Sequence, residues 1–78
     1  MNNISLLSLL QYEREQINRI KIYQEQIKEL KSSKISLSNE YLQELLTKYE
    51  NYIKESEERL LTTRQEIKQQ LAFYMKGE

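Results

Sequence analysis

The amino-acid sequence predicts an all-α fold: an antiparallel hairpin of two long amphipathic helices that pack in a coiled-coil-like way. Three observations predict it. Pro is absent while good helix formers abound, the second half carries a heptad repeat of apolar residues, and that repeat does not continue into the first half. The predicted single domain has helix 1 at about 4–31, a turn at about 32–38 and helix 2 at about 39–76.

The first helix is predicted from apolar residues that recur at helical spacing. Ile17, Ile20 and Ile27 lie on one face of such a helix. Tyr23 and Leu30 fall on the same side. Nearer the N-terminus, leucines are so dense that they surround most of the predicted helix. They are Leu6, Leu7, Leu9 and Leu10.

A break between the helices is predicted from a mismatch of their repeats. Continuing the heptad repeat of the second half backwards would place Lys21, Glu25 and Lys28 in a dry interhelical seam. Burying these charges without partners is costly. We therefore predict two helices, and one long helix in a parallel coiled coil is the alternative architecture.

The predicted turn is rich in serine, with four serines within residues 31–38. Serine side chains compete for backbone hydrogen bonds and favour turns and helix caps. Ser38 is the predicted N-cap of the second helix. Leu37 and Leu42 are placed across this cap as a hydrophobic staple.

The second helix is predicted from a heptad seam in which core positions alternate by three and four residues. Ser56, Thr63 and Gln70 are small or polar members of this seam, and small seam residues allow two helices to approach closely. The predicted seam residues are Leu42, Leu46, Tyr49, Ile53, Ser56, Leu60, Thr63, Ile67, Gln70 and Tyr74.

A hairpin centred near residue 35 brings apolar residues of the two helices together. Ile20 is expected opposite Tyr49, and Leu10 opposite Leu60. Apolar residues oppose each other at both levels, and the two arms are expected to match in length. This agreement favours the hairpin independently of the break in the repeat.

Two helices bury a single seam, which leaves apolar residues beside it uncovered. A second copy packed face to face would cover them in a four-helix bundle. We therefore expect a homodimer, and a different helical protein is the alternative partner. The residues beside the seam are Leu7, Ile22, Leu45, Tyr52 and Leu71.

The hairpin is expected to have unequal ends, because apolar residues concentrate where the termini meet. This open end is either a core thickened by dimerisation or a docking surface for another protein, since exposed apolar clusters mark interfaces. The candidate interface residues are Leu6, Leu7, Leu9, Leu10, Leu61, Leu71, Phe73, Tyr74 and Met75.

The composition argues against catalysis and metal binding. His, Cys and Asp are absent, which removes the commonest bases, nucleophiles and zinc ligands. The sequence has no Gly-rich phosphate loop, and a helical hairpin offers no deep pocket. We therefore predict no enzyme, no metal, no cofactor and no small-molecule substrate.

A nucleic-acid interface is an alternative prediction. Arg14, Lys21 and Lys28 recur every seven residues and form a stripe of candidate phosphate contacts on helix 1. Glutamates beside the stripe weaken its potential, however, and twelve basic residues cancel twelve acidic ones in the whole chain. A solvated outer face is the simpler interpretation.

The predicted function is that of a non-enzymatic protein–protein interaction module. A small nucleic-acid-associated regulator and a structural subunit of a larger phage or secretion assembly are the alternatives. The apolar stretch of residues 4–10 is too short to span a bilayer and has no basic flank. We therefore expect a cytoplasmic protein with no membrane partner.

Overall fold

The computed structural model of the chain describes residues 5–32 and 38–76, with side chains up to Met75. Within these ranges two helices, α1 (Leu6–Ser32) and α2 (Asn39–Lys76), pack against each other. The hairpin is elongated and measures 62 × 18 × 15 Å. The predicted all-α helical hairpin is confirmed. Most of the predicted turn, including Leu37 of the predicted staple, lies outside the described residues.

A serine caps the first turn of each helix. The Ser5 side chain accepts a hydrogen bond from the Ser8 backbone N–H at 3.1 Å, and Ser38 accepts one from Tyr41 at 3.2 Å. Each cap satisfies a backbone donor that has no partner within its own helix. The predicted N-cap at Ser38 is therefore confirmed, and Ser5 explains why α1 begins at Leu6.

The heptad seam predicted for α2 is buried or half-buried at every position except Tyr74. Its small polar members are among the least exposed residues of the described chain, since Ser56 is 3% and Thr63 5% exposed. The Thr63 hydroxyl donates to the Arg59 carbonyl oxygen at 2.7 Å. Thr63 therefore enters the seam without an unsatisfied donor.

Helix α1 also carries a continuous heptad repeat, which hydrophobicity alone does not reveal. Eight of its ten buried and half-buried positions alternate by three and four residues along the whole helix, and Ile17 and Gln26 are half-buried beside them. Glu13 and Gln16 occupy two of these positions, and because both are polar they interrupt the apolar pattern. The seam residues are Leu6, Leu9, Glu13, Gln16, Ile20, Tyr23, Ile27 and Leu30.

The two helices run antiparallel. Near the turn the Tyr23 ring lies 5.9 Å from the Tyr49 ring. Towards the open end, Arg64 Nε donates to Glu13 Oε2 at 3.0 Å. The observed register therefore differs from the expected one, because Tyr23, and not Ile20, provides the described contact with Tyr49.

Further contacts join the same stretches of the two helices along the seam. The Tyr23 ring contacts Tyr52 as well as Tyr49, and Leu9 and Thr63 line the same interhelical groove. The large residues Leu9 and Gln16 of α1 are thus buried along the same half of the seam as the small residues Ser56 and Thr63 of α2.

Gln16 is the most deeply buried of the described residues and is only 1% exposed. Its side-chain oxygen, Oε1, reaches no hydrogen-bond donor within the described chain. A buried acceptor without a partner costs about 1–3 kcal/mol. The seam therefore accommodates the volume of the Gln16 side chain, whereas the unpaired polar group of this side chain lowers the stability of the hairpin.

Replacing Gln16 with Leu should stabilise the hairpin. Leu has a similar volume and completes the heptad, so the Gln16→Leu variant loses the unpaired acceptor without leaving a cavity. A gain of about 1–2 kcal/mol corresponds to a rise of roughly 4–16 °C in the thermal midpoint for a domain of this size. Thermal unfolding followed by circular dichroism measures it, and a lower midpoint would show that Gln16 stabilises the seam.

Replacing Leu46 with Ala should unfold a large fraction of the chain. Leu46 is 8% exposed, and truncating a buried leucine costs about 2–5 kcal/mol. Cores of this size supply only about 3–5 kcal/mol in total. Ile22, which is 53% exposed, is the control. The Ile22→Ala variant should change stability by less than about 0.5 kcal/mol, and equal losses in the two variants would contradict the burial pattern.

Candidate interaction surface

A groove between the helices marks one broad side of the hairpin, which we call the groove side. The groove has a volume of about 620 Å³, and Leu9 and Thr63 from the seam line it. Ser8 and Thr62 also line it. Because these side chains are small, the two helices leave a depression along this side.

Carboxylates outnumber cations along the groove. Glu55, Glu58 and Glu66 of α2 line it, and Arg59 is the one cation among its lining residues. Tyr12 lines it from α1 and is 39% exposed. The groove therefore combines a largely apolar floor with an acidic rim.

The opposite side, which we call the aliphatic side, is formed by the other flank of each helix. Leu7 and Leu10 of α1 lie there, because Ser8 and Tyr12 of the same helix face the groove. Leu61, Leu71 and Met75 occupy the matching flank of α2. All five aliphatic residues are exposed; Leu7 is 66% exposed and Met75 81%.

Helix α2 extends beyond the described start of α1, which corrects the expectation of equal arms. It has 38 residues and α1 has 27, a difference of about 16 Å at 1.5 Å per residue. From the Glu13–Arg64 pair, α1 continues for seven residues to Leu6 and α2 for twelve residues to Lys76, so α2 extends further at the open end. Phe73 and Tyr74 lie on this overhang and are 75% and 62% exposed.

The structure divides the predicted open-end interface into core and surface. Leu9 is 3% exposed and Leu6 is half-buried, so both belong to the seam. The remaining predicted residues are exposed. They are Leu7, Leu10, Leu61, Leu71, Phe73, Tyr74 and Met75.

The predicted phosphate contacts Arg14, Lys21 and Lys28 are exposed on α1. They follow Leu7 at intervals of seven residues and therefore lie on the aliphatic side. Helix α2 adds Lys54 and Lys68 to the same side, at seven residues before and after Leu61. The sequence did not reveal this addition, because it depends on how the two helices face each other.

Tyrosines strengthen the seam nearer the turn. Besides its contact with Tyr49, the Tyr23 ring lies 5.2 Å from the ring of Tyr52, and the Lys48 ammonium lies 5.9 Å from the centre of the Tyr52 ring. Aromatic pairs at such distances add to the stability of packing. These rings are half-buried, and Tyr23 connects α1 to α2 through them.

Known proteins add no further information about this surface. No protein-family model, no curated protein and no solved structure matches the chain. In the described ranges, no three or more side chains of the metal-binding types come together as a group that could hold an ion. Neither α1 nor α2, over the residues described, has the length and apolar character that crossing a membrane requires.

Proposed function

We propose that the hairpin is a non-enzymatic protein–protein interaction module that self-associates through its open end. The observation that carries this proposal is the exposure of large apolar side chains on the overhang, most of all Phe73 and Met75. Apolar clusters exposed in this way mark interaction sites. The proposed occupant is a second copy of the chain, which forms a four-helix bundle where the two open halves overlap.

The accessible surface of the chain supports a second copy as the occupant. A folded monomer of 9.5 kDa is expected to expose about 5,000 Å², whereas this chain exposes 6813 Å². A standard interface removes about 800 Å² from each partner, and obligate dimer interfaces remove more. Self-association would therefore bring the exposed surface towards that of an ordinary globular protein.

The unequal helix lengths also support a two-fold arrangement. Each chain presents an α2 overhang of which Leu71, Phe73 and Met75 are exposed. In a two-fold dimer the overhang of one chain lies beside the overhang of the other, so each covers surface that its own α1 leaves open. The same surface patch of each chain then forms both halves of the interface.

The charges of the aliphatic side indicate how such a dimer responds to salt. Arg14 and Lys68 lie among the exposed aliphatic residues, and a two-fold contact brings like charges towards each other. Salt screens this repulsion, while the burial of apolar surface does not depend on attraction between charges. The open-end dimer should therefore persist or strengthen as salt is raised.

Replacing Leu61 and Leu71 with Ser should weaken self-association and preserve the hairpin. Both residues are exposed, so the double variant removes contact area without opening a cavity. Sedimentation equilibrium of the wild-type chain should give twice the 9.5 kDa chain mass at micromolar concentration and about 500 mM salt, where attraction between charged surfaces is screened. The double variant should show a dissociation constant raised about 100-fold, since two interface leucines at 1–2 kcal/mol each are lost.

A matched control removes two exposed apolar residues away from the open end. Ile22 and Tyr41 are 53% and 49% exposed, and the Ile22→Ser, Tyr41→Ser variant should associate as the wild type does. Circular dichroism should show comparable helicity for both double variants. A wild-type chain that stays folded and monomeric would refute the second copy as occupant, and equal weakening by both variants would refute the open end as the contact.

A further inference from the structure

We infer that the groove is a second self-association site, which receives helix α1 of another copy through the stripe formed by Arg14, Lys21 and Lys28. The contact uses the groove side of the receiving copy and the aliphatic side of the donating copy, where Lys21 and Lys28 lie nearer the turn than the open-end leucines, and it does not require the open-end contact proposed above. A shallow groove between two packed helices can bind a third helix, whose side chains extend into the groove. The small residues Ser8 and Thr62, which line the groove, leave the room that such side chains need.

Charge complementarity identifies another copy of this chain as the occupant. The groove is lined by three carboxylates and by one cation, Arg59. The stripe has the opposite net charge, since its three cations have two carboxylates beside them. Glu15 groups with Arg14, and Glu25 groups with Lys21 and Lys28. The chain thus carries both halves of a matched pair of surfaces.

The spacing of the charges also matches. Glu58 and Glu66 are eight residues apart on α2, or about 12 Å along the helix. Lys21 and Lys28 are seven residues apart on α1, or about 10.5 Å. Lysine side chains are long enough to cover this difference, so two cations of one copy can reach two carboxylates of another.

The position of the two surfaces determines the kind of assembly. The groove and the stripe lie on different sides of the same hairpin, so a copy that donates its stripe keeps its own groove free. Such head-to-tail contacts build a ring or an open chain and do not stop at two copies. Combined with the open-end dimer, they join dimers into larger species.

Two charge-reversed variants test the contact. One carries Glu58→Lys and Glu66→Lys in the groove, and the other carries Lys21→Glu and Lys28→Glu in the stripe. All four residues are exposed, so both variants should keep wild-type helicity. The wild-type chain at about 30 mM salt should sediment as species larger than a dimer, and should return to dimers at about 500 mM as the screening length falls from roughly 18 Å to roughly 4 Å.

Each variant alone should lose these larger species, with the groove contact weakened at least about tenfold, because like charges then face each other. An equimolar mixture should restore them, since the lysine-lined groove of one variant fits the glutamate stripe of the other. The control is Glu44→Lys with Glu50→Lys, which makes the same change in charge on α2 outside the groove. This control should assemble as the wild type does.

The outcomes separate this inference from the proposed open-end dimer. The Leu61→Ser, Leu71→Ser variant should still assemble at low salt, because its groove and stripe are intact. A wild-type chain that never exceeds twice its own mass at low salt would overturn the groove contact and leave the open-end dimer standing. A failure of the mixture to restore assembly would overturn it as well. If the open-end dimer is instead retained on duplex DNA through Lys21 and Lys28, the stripe binds phosphates and not the groove of another copy.

Discussion

The structure depends on a match in size, because large residues of α1 and small residues of α2 are buried together along the open half of the seam. Leu9 and Gln16 of α1 and Ser56 and Thr63 of α2 are all buried there. Small residues on α2 leave room for the larger side chains of α1 between two closely packed helices. The register of this seam decides which outer residues are neighbours, and it therefore sets the groove, the aliphatic side and the overhang.

This match gives a seam that specifies alignment better than it stabilises the fold. Among the described residues the buried apolar side chains are Leu9, Leu46 and Ile67, and the buried polar ones are Gln16, Ser56 and Thr63. Polar groups in a helical seam lower stability but penalise wrong registers, in which they would face apolar residues. A hairpin built in this way has little stability to spare, which favours further burial by association.

The sequence predicts α2 well and α1 less well, for a physical reason. The α2 seam is apolar enough for its heptad to be read directly, and the cap at Ser38 follows from local chemistry. In α1, Glu13 and Gln16 look like surface residues until their partners are known. Glu13 is acceptable in the seam because Arg64, fifty-one positions away, donates to it. The open-end leucines were predictable from their density, whereas the groove was not, because it exists only between two helices in one particular register.

A net charge of zero conceals how the charges of this chain are arranged. The charged residues at intervals of seven from Leu7 and Leu61 are mostly cations, whereas the charged residues that line the groove on the other side are mostly carboxylates. None of these outer residues is needed for the seam, so exchanging them would preserve the hairpin and its composition. It would abolish the separation of charge and the aliphatic side. The seam residues therefore specify the fold, whereas the outer residues specify what the fold can bind, and the two sets are nearly independent in this sequence.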